Sequence, residues 1–182
     1  MTAAANRIPV RQLDLDTLLP YLDLHLVGAT NGVRLFRAAG LSWAGTPYEE
    51  DFTRLRQEIS EERTFLKRLI KALGHRPSLV KMTLARVLSV IADLDPLNPK
   101  RRKASAGAQL ELEALQSLLK GKEALWSTLL ALSPAGSGQQ ANMAETVLNT
   151  PVLERLLEAS KRQQDTVARV MTETASARFL QQ

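Results

Sequence analysis

The sequence predicts an all-α fold, a bundle of four long helices. Hydrophobic residues make up 45% of the chain but aromatic residues only 4%, and Leu and Ala supply most of the apolar mass, which favours helix over strand. Four long stretches place apolar residues at spacings of three and four, the period of one helical face. No segment has the alternating pattern of a strand, and no internal repeat is present.

Length and composition indicate one soluble domain over residues 1–182, with residues 1–15 flexible. The chain has no Cys, which excludes disulfides, thiolate metal ligands and thiol nucleophiles. Its N-terminus lacks an apolar core long enough for a signal peptide, and no segment is long and apolar enough to span a membrane. We therefore expect a cytoplasmic protein.

The first long helix is predicted over residues 17–39, with Asp16 as its N-cap and Gly40 just past its end. Gly28 and Gly32 lie four residues apart on one side of this helix. Because glycine weakens a helix interior, the pair predicts a close approach by another backbone.

The second long helix has the clearest start in the chain. Thr46, Pro47 and Glu49 provide a capping hydroxyl, a proline at the first helical position and a glutamate at the third, the pattern of a capping box. An apolar stripe follows and stops at Gly74. His75, in the turn that follows, is expected to be exposed to solvent.

The rest of the chain alternates helices and loops. A shorter helix is predicted over residues 78–94, and a basic loop over residues 95–107 follows its Pro-rich end. A third long helix covers residues 105–132. Residues 133–149 have the composition of a mobile loop, and the last helix covers residues 150–179.

The connections predict how the helices are arranged. The short loop between the first two long helices predicts an antiparallel hairpin. The helix over residues 78–94 is roughly 24 Å long, at 1.5 Å per residue, which is enough to carry the chain back along the bundle. The third long helix would then run parallel to the second, as in ferritin-like bundles with a crossover helix.

Each apolar stripe is interrupted near its middle by one polar residue. Counted along the helices, the four interruptions fall at one level of the bundle, within an error of about 4 Å. We interpret them as a polar layer in the core: an ion pair of Glu62 and Lys122, with hydrogen bonds from His25 and Gln164. Such a pair fixes helix register more than it adds stability.

Three segments resemble a known superfamily. They are HLVGATNGVRLFRAAGL, GTPYEEDFTRLRQEISEERTFLKRLIKALG and LELEALQSLLKGKEALW. Together with the helix pattern, they resemble the ferritin-like superfamily and, more narrowly, a family of uncharacterised actinobacterial helical proteins, over roughly residues 21 to 130. The resemblance implies the fold and carries no activity.

The resemblance raises the alternative of a di-iron or di-manganese site. Proteins of the superfamily that bind two metals use Glu from two helices and Glu-x-x-His from the other two. The acidic candidates in this chain are Glu58, Glu61, Glu62 and Glu111. No His stands at the required spacing, and the Lys122 ammonium at this level opposes a nearby dication. We therefore favour a protein without metal or cofactor and keep the di-metal site as the alternative.

The basic loop is the second candidate site. Lys100, Arg101, Arg102 and Lys103 hold part of the net charge of +5 and are suited to an anion such as phosphate. A basic cluster of four residues in a loop is more typical of a solvated surface, and we do not expect nucleic acid as a partner.

The interpretation favoured by the sequence is a non-catalytic binding or assembly protein, with homo-oligomerisation left open. The enzymatic alternative is a carboxylate-bridged di-metal oxidase or an iron-handling protein. A third alternative is a module that binds an apolar ligand between its helices, which requires a cavity.

Overall fold

The computed structural model describes residues 13–76, 106–133 and 148–180. These residues form four long helices and no strand, which confirms the all-α prediction. The helices are α1 (Leu15–Ser42), α2 (Glu49–Ala72), α3 (Ala106–Leu132) and α4 (Thr150–Phe179). The predicted helix over residues 78–94, the basic cluster at residues 100–103 and nearly all of the predicted mobile loop lie outside the described residues.

α1 begins two residues earlier than predicted. The Asp14 side chain, not that of Asp16, caps it by accepting a hydrogen bond of 3.2 Å from the backbone N of Thr17. Asp16 lies in the first turn instead, where a negative charge favours the helix dipole. Leu13, in the stretch predicted to be flexible, packs against the core.

α1 also ends later than predicted, at Ser42 rather than at residue 39, so Gly40 lies inside the helix. The reason is tertiary packing. Trp43 follows the helix, is buried, and stacks on Phe52 with 5.6 Å between ring centroids. The apolar burial of Trp43 outweighs the weak helix preference of one glycine.

The capping box predicted at Thr46 does not form, and α2 begins two residues later than predicted, because residues 46 and 47 lie in a turn. The Thr46 hydroxyl accepts from the backbone N of Tyr48 at 3.3 Å, and Glu49 Oε2 accepts from the backbone N of Gly45 at 2.7 Å. Thr46 therefore organises the turn, while Tyr48 is the N-cap and has no side-chain capping bond.

The end of α2 is a Schellman motif. Gly74 has a φ of +83°, the backbone N of His75 donates to the carbonyl of Ile70, and the N of Gly74 donates to the carbonyl of Lys71. The predicted stop at Gly74 is therefore where the chain reverses, at a backbone conformation that favours glycine.

The four helices enclose two apolar clusters, one toward each end of the bundle. The first contains the start of α1, the end of α2, the end of α3 and the start of α4, through Leu22, Ile70, Trp126 and Leu153 among others. The second contains the opposite end of every helix, through Phe36, Phe52, Leu115 and Val167 among others. α2 and α3 therefore run in one direction, and α1 and α4 run in the other. α1 packs mainly on α2, and α3 mainly on α4.

Candidate functional site

A cluster of polar side chains lies between the two apolar clusters. Lys122 Nζ on α3 lies 2.5 Å from Glu62 Oε2 on α2, and the Glu62 residue is only 7% exposed. Gln163 on α4 joins both, because its Nε2 donates to Glu62 Oε1 at 2.9 Å while its Oε1 accepts from Lys122. The same Nε2 donates to Glu58 Oε2 at 2.8 Å. The cluster thus connects three helices across the core.

The structure brings Glu62 and Lys122 together as an ion pair but does not bring Gln164 to it. Gln164 is half-buried and donates to Glu123 Oε2 at 2.7 Å and to the carbonyl of Ser160 at 3.2 Å. Successive helical residues are turned by about 100°, so a one-residue shift moves a side chain off the buried face. Gln163, which the sequence analysis missed, is 2% exposed and takes the predicted place. Two adjacent glutamines give no sequence signal that separates them.

His25, the fourth residue of the predicted layer, lies in the wall of a cavity. The cavity measures about 300 Å³ and opens between α1, α2 and α3. His25 shares its wall with Glu62 and Lys122, so all three face one space. The remaining polar members of the wall are Arg63 and Ser117, and most of the rest are Leu, Ile, Phe, Trp and small residues.

Glycines make room for this cavity. Among the described residues, a methyl group added at Gly28 on α1 or at Gly121 on α3 would meet no atom within 4 Å, and one added at Gly32 would meet Ile59 Cγ2, at 3.8 Å. All three glycines line the cavity. The predicted close approach of a backbone to Gly28 and Gly32 is therefore wrong. The missing side chains leave empty space instead.

Burial lowers the pKa of both basic side chains in the predicted layer, Lys122 and His25. It lowers the pKa of Lys122 below its ordinary value, although the carboxylates of Glu62 and Glu58 oppose this effect. Burial also lowers the pKa of His25, whose ring meets the edge of the Tyr21 ring at a centroid distance of 4.5 Å. A neutral imidazole is thereby favoured at the cavity wall.

The four acidic candidates for a di-metal site do not assemble. Glu58 and Glu62 share the amide of Gln163, whereas Glu61 is exposed and accepts a hydrogen bond of 2.7 Å from Gln57. Glu111 lies eleven positions before Lys122 on α3, roughly 16 Å along the axis. Within the described residues, no group of three or more His, Asp or Glu side chains is placed to hold a metal ion. The ammonium of Lys122 also opposes a dication beside Glu62, so the four acidic candidates do not fit a di-metal centre.

The prediction that His75 is exposed to solvent is wrong. Its Nε2 lies 2.9 Å from Oδ2 of Asp23, a residue of α1 that is 7% exposed. The His75 side chain retains only 30% of its exposure. The Schellman turn at Gly74 directs the chain back toward α1, which brings the imidazole to the buried carboxylate.

No protein-family model, curated protein or solved structure matches this chain. None of the described helices is both long enough and apolar enough to cross a membrane.

Proposed function

We propose that this protein is a non-catalytic binding protein that holds a small, largely apolar molecule in the cavity between α1, α2 and α3. The observation that carries the proposal is the cavity itself, which the sequence alone did not predict. A volume of about 300 Å³ is at the lower end of the range of about 300–1,000 Å³ for ligand pockets. It is about twice that of an engineered apolar cavity of about 150 Å³ that binds benzene, which suits a ligand of roughly a dozen non-hydrogen atoms.

The composition of the wall supports binding rather than catalysis. Apolar side chains from three helices form most of it, including Phe36, Leu66 and Trp126. The carboxylate of Glu62 is already occupied by Lys122 and Gln163. A group held in this way is suited to keeping the helices in register around an empty space, because breaking the pair is costly.

The proposal also covers the fold family and the cellular location of the protein. We infer a ferritin-like bundle, because α2 and α3 run in the same direction, as they do in bundles of that topology. We also infer a cytoplasmic protein without a resident metal, since the acidic residues named above do not converge.

The proposal is tested by filling the cavity. Gly28→Leu places an apolar side chain where no atom of the described residues lies within 4 Å of the added methyl position. Gly40→Leu is the matched control, because it makes the same change in the same helix. Gly40 is half-buried, has no neighbour within 4 Å in the described part of the chain and is not part of the cavity wall. The probe is 1-decanol, which is apolar, uncharged and of the expected size.

Binding is measured by calorimetry and by tryptophan fluorescence of a Trp43→Phe protein, in which Trp126 at the cavity wall is the one remaining tryptophan. We expect saturable binding of decanol to the native and Gly40→Leu proteins and none to Gly28→Leu. Equal binding to both leucine variants, or no binding to the native protein, would overturn the proposal.

A further inference from the structure

Three charged side chains line the cavity, and two of them pair with each other. Glu62 Oε2 lies 2.5 Å from Lys122 Nζ, and Gln163 donates to Glu62 Oε1 and accepts from Lys122. The charges of Glu62 and Lys122 are therefore balanced within the protein.

Arg63 and His25 differ from that pair. Both line the cavity and are half-buried, and within the described part of the chain neither has an ion pair or a hydrogen bond to an acceptor. A guanidinium carries five N–H donors and a neutral imidazole one. A ligand that brings acceptors into the cavity can therefore bond to these donors.

The two groups lie near one level of the bundle. The contact of Gly32 with Ile59 sets the register of α1 against α2. Because these helices are antiparallel, Gly28, four residues back on α1, faces the level of Arg63, four residues on along α2. His25 lies one further turn along α1. The missing side chain at Gly28 therefore leaves open space beside both donors.

The charges on the cavity wall also favour a ligand that carries acceptors. On the cavity wall, Glu62 and Lys122 neutralise each other, which leaves the positive charge of Arg63. Glu58 acts on Lys122 through space, but it is bonded to the amide of Gln163 and does not line the cavity. A ligand with one negative charge would therefore balance the charge of the wall.

We propose that the ligand is an apolar acid, with its carboxylate bound by Arg63 and His25 and its hydrocarbon body in the cavity. This inference rests on the proposed function and adds the chemical class of the ligand. Carboxylates suit a guanidinium because two of its N–H groups donate in parallel to the two oxygens. A free acid and an acyl chain released from a lipid present the same chemistry to this site.

The test compares three probes of one chain length, namely decanoate, decanol and decylamine, at pH 7.5 and constant ionic strength. At a half-buried site, hydrogen bonds between a guanidinium and a carboxylate lower the Kd by about tenfold relative to an uncharged ligand of the same length. We expect decanoate to bind about tenfold more tightly than decanol, and decylamine to bind more weakly than both.

Arg63→Met tests the residue. It should remove most of the preference for decanoate, because His25 alone offers one neutral donor, while leaving the Kd of decanol unchanged. Arg56→Met is the matched control, because Arg56 is an exposed arginine seven positions earlier on the same helix and does not line the cavity. It should leave all three affinities unchanged.

The outcomes separate the two proposals. Binding of decanol without any preference for decanoate would overturn the carboxylate ligand and leave the cavity as a binding site. A preference that Arg63→Met leaves undiminished, or that falls equally with Arg56→Met, would also overturn it, since the arginine at the wall would not be the cause. Absence of binding by all three probes would overturn the proposed function as well.

Discussion

The ion pair of Glu62 and Lys122 allows a quantitative test of how the polar cluster contributes to stability. Lys122→Met removes the cation and leaves the carboxylate of Glu62 buried with one hydrogen bond, from Gln163. Breaking a fully buried pair in this way costs about 3–5 kcal/mol. The Lys122 side chain keeps 12% of its exposure, so we expect the lower end, about 3 kcal/mol.

The double change Glu62→Leu with Lys122→Met should cost far less than Lys122→Met alone, because no unpaired charge remains at the pair. Gln163 would lose two partners but keep its bond to Glu58, which limits the residual cost to about 1 kcal/mol. At 2–4 °C per kcal/mol for a chain of this size, Lys122→Met should lower the Tm by about 6–12 °C and the double variant by about 2–4 °C.

The assay is urea and thermal unfolding followed by circular dichroism at 222 nm. Lys120→Met is the control, since Lys120 pairs with Glu123 on the same helix but its side chain is 69% exposed. We expect the control to change the free energy of unfolding by less than about 1 kcal/mol. The single change Glu62→Leu completes the cycle. Additive effects of Glu62→Leu and Lys122→Met would refute the reasoning, because they would mean that the buried pair has no coupling energy.

Two further predictions concern single residues. Burial lowers the pKa of His25, so the unfolded chain takes up a proton that the folded chain resists, and stability should fall as the pH drops below the ordinary value of 6.5. His25→Gln should reduce this slope, which unfolding between pH 5 and 7.5 measures, and an unchanged slope would contradict the prediction. Gly74→Ala should destabilise the protein by about 1 kcal/mol because of its φ of +83°, whereas Gly40→Ala, inside α1, should stabilise it by about 0.5–1 kcal/mol. Equal urea midpoints for these two variants would contradict the second prediction.

The sequence predicted helix positions well where local signals agree. The bounds of α4 match because Asn149 caps the helix and Pro151 suits its first turn. The end of α1 was missed because Gly40 is a local stop signal, while the burial of Trp43, a tertiary effect, decides the outcome.

The site was only partly predictable. The pairing of Glu62 with Lys122 followed from counting residues along two helices, which is accurate to within a turn. The choice between Gln163 and Gln164 needs the rotation of α4 to better than 100°, which boundary errors in the sequence pattern do not allow. The cavity could not be predicted, because a pair of glycines such as Gly28 and Gly32 permits either a close backbone or an empty space.

The polar cluster is divided between two helical hairpins, α1–α2 and α3–α4. This division has a consequence for folding. α1 packs mainly on α2, and α3 mainly on α4, so most contacts form within each hairpin. Glu62 belongs to the first hairpin, whereas Lys122 and Gln163 belong to the second. Each hairpin alone therefore carries a charge without its partner, and only assembly in the native register brings the charges together. Assembly one helical turn out of register would displace Glu62 from Lys122 by about 5 Å and bury both unpaired. We therefore expect the ion pair to disfavour assemblies that are shifted by one turn relative to the native register.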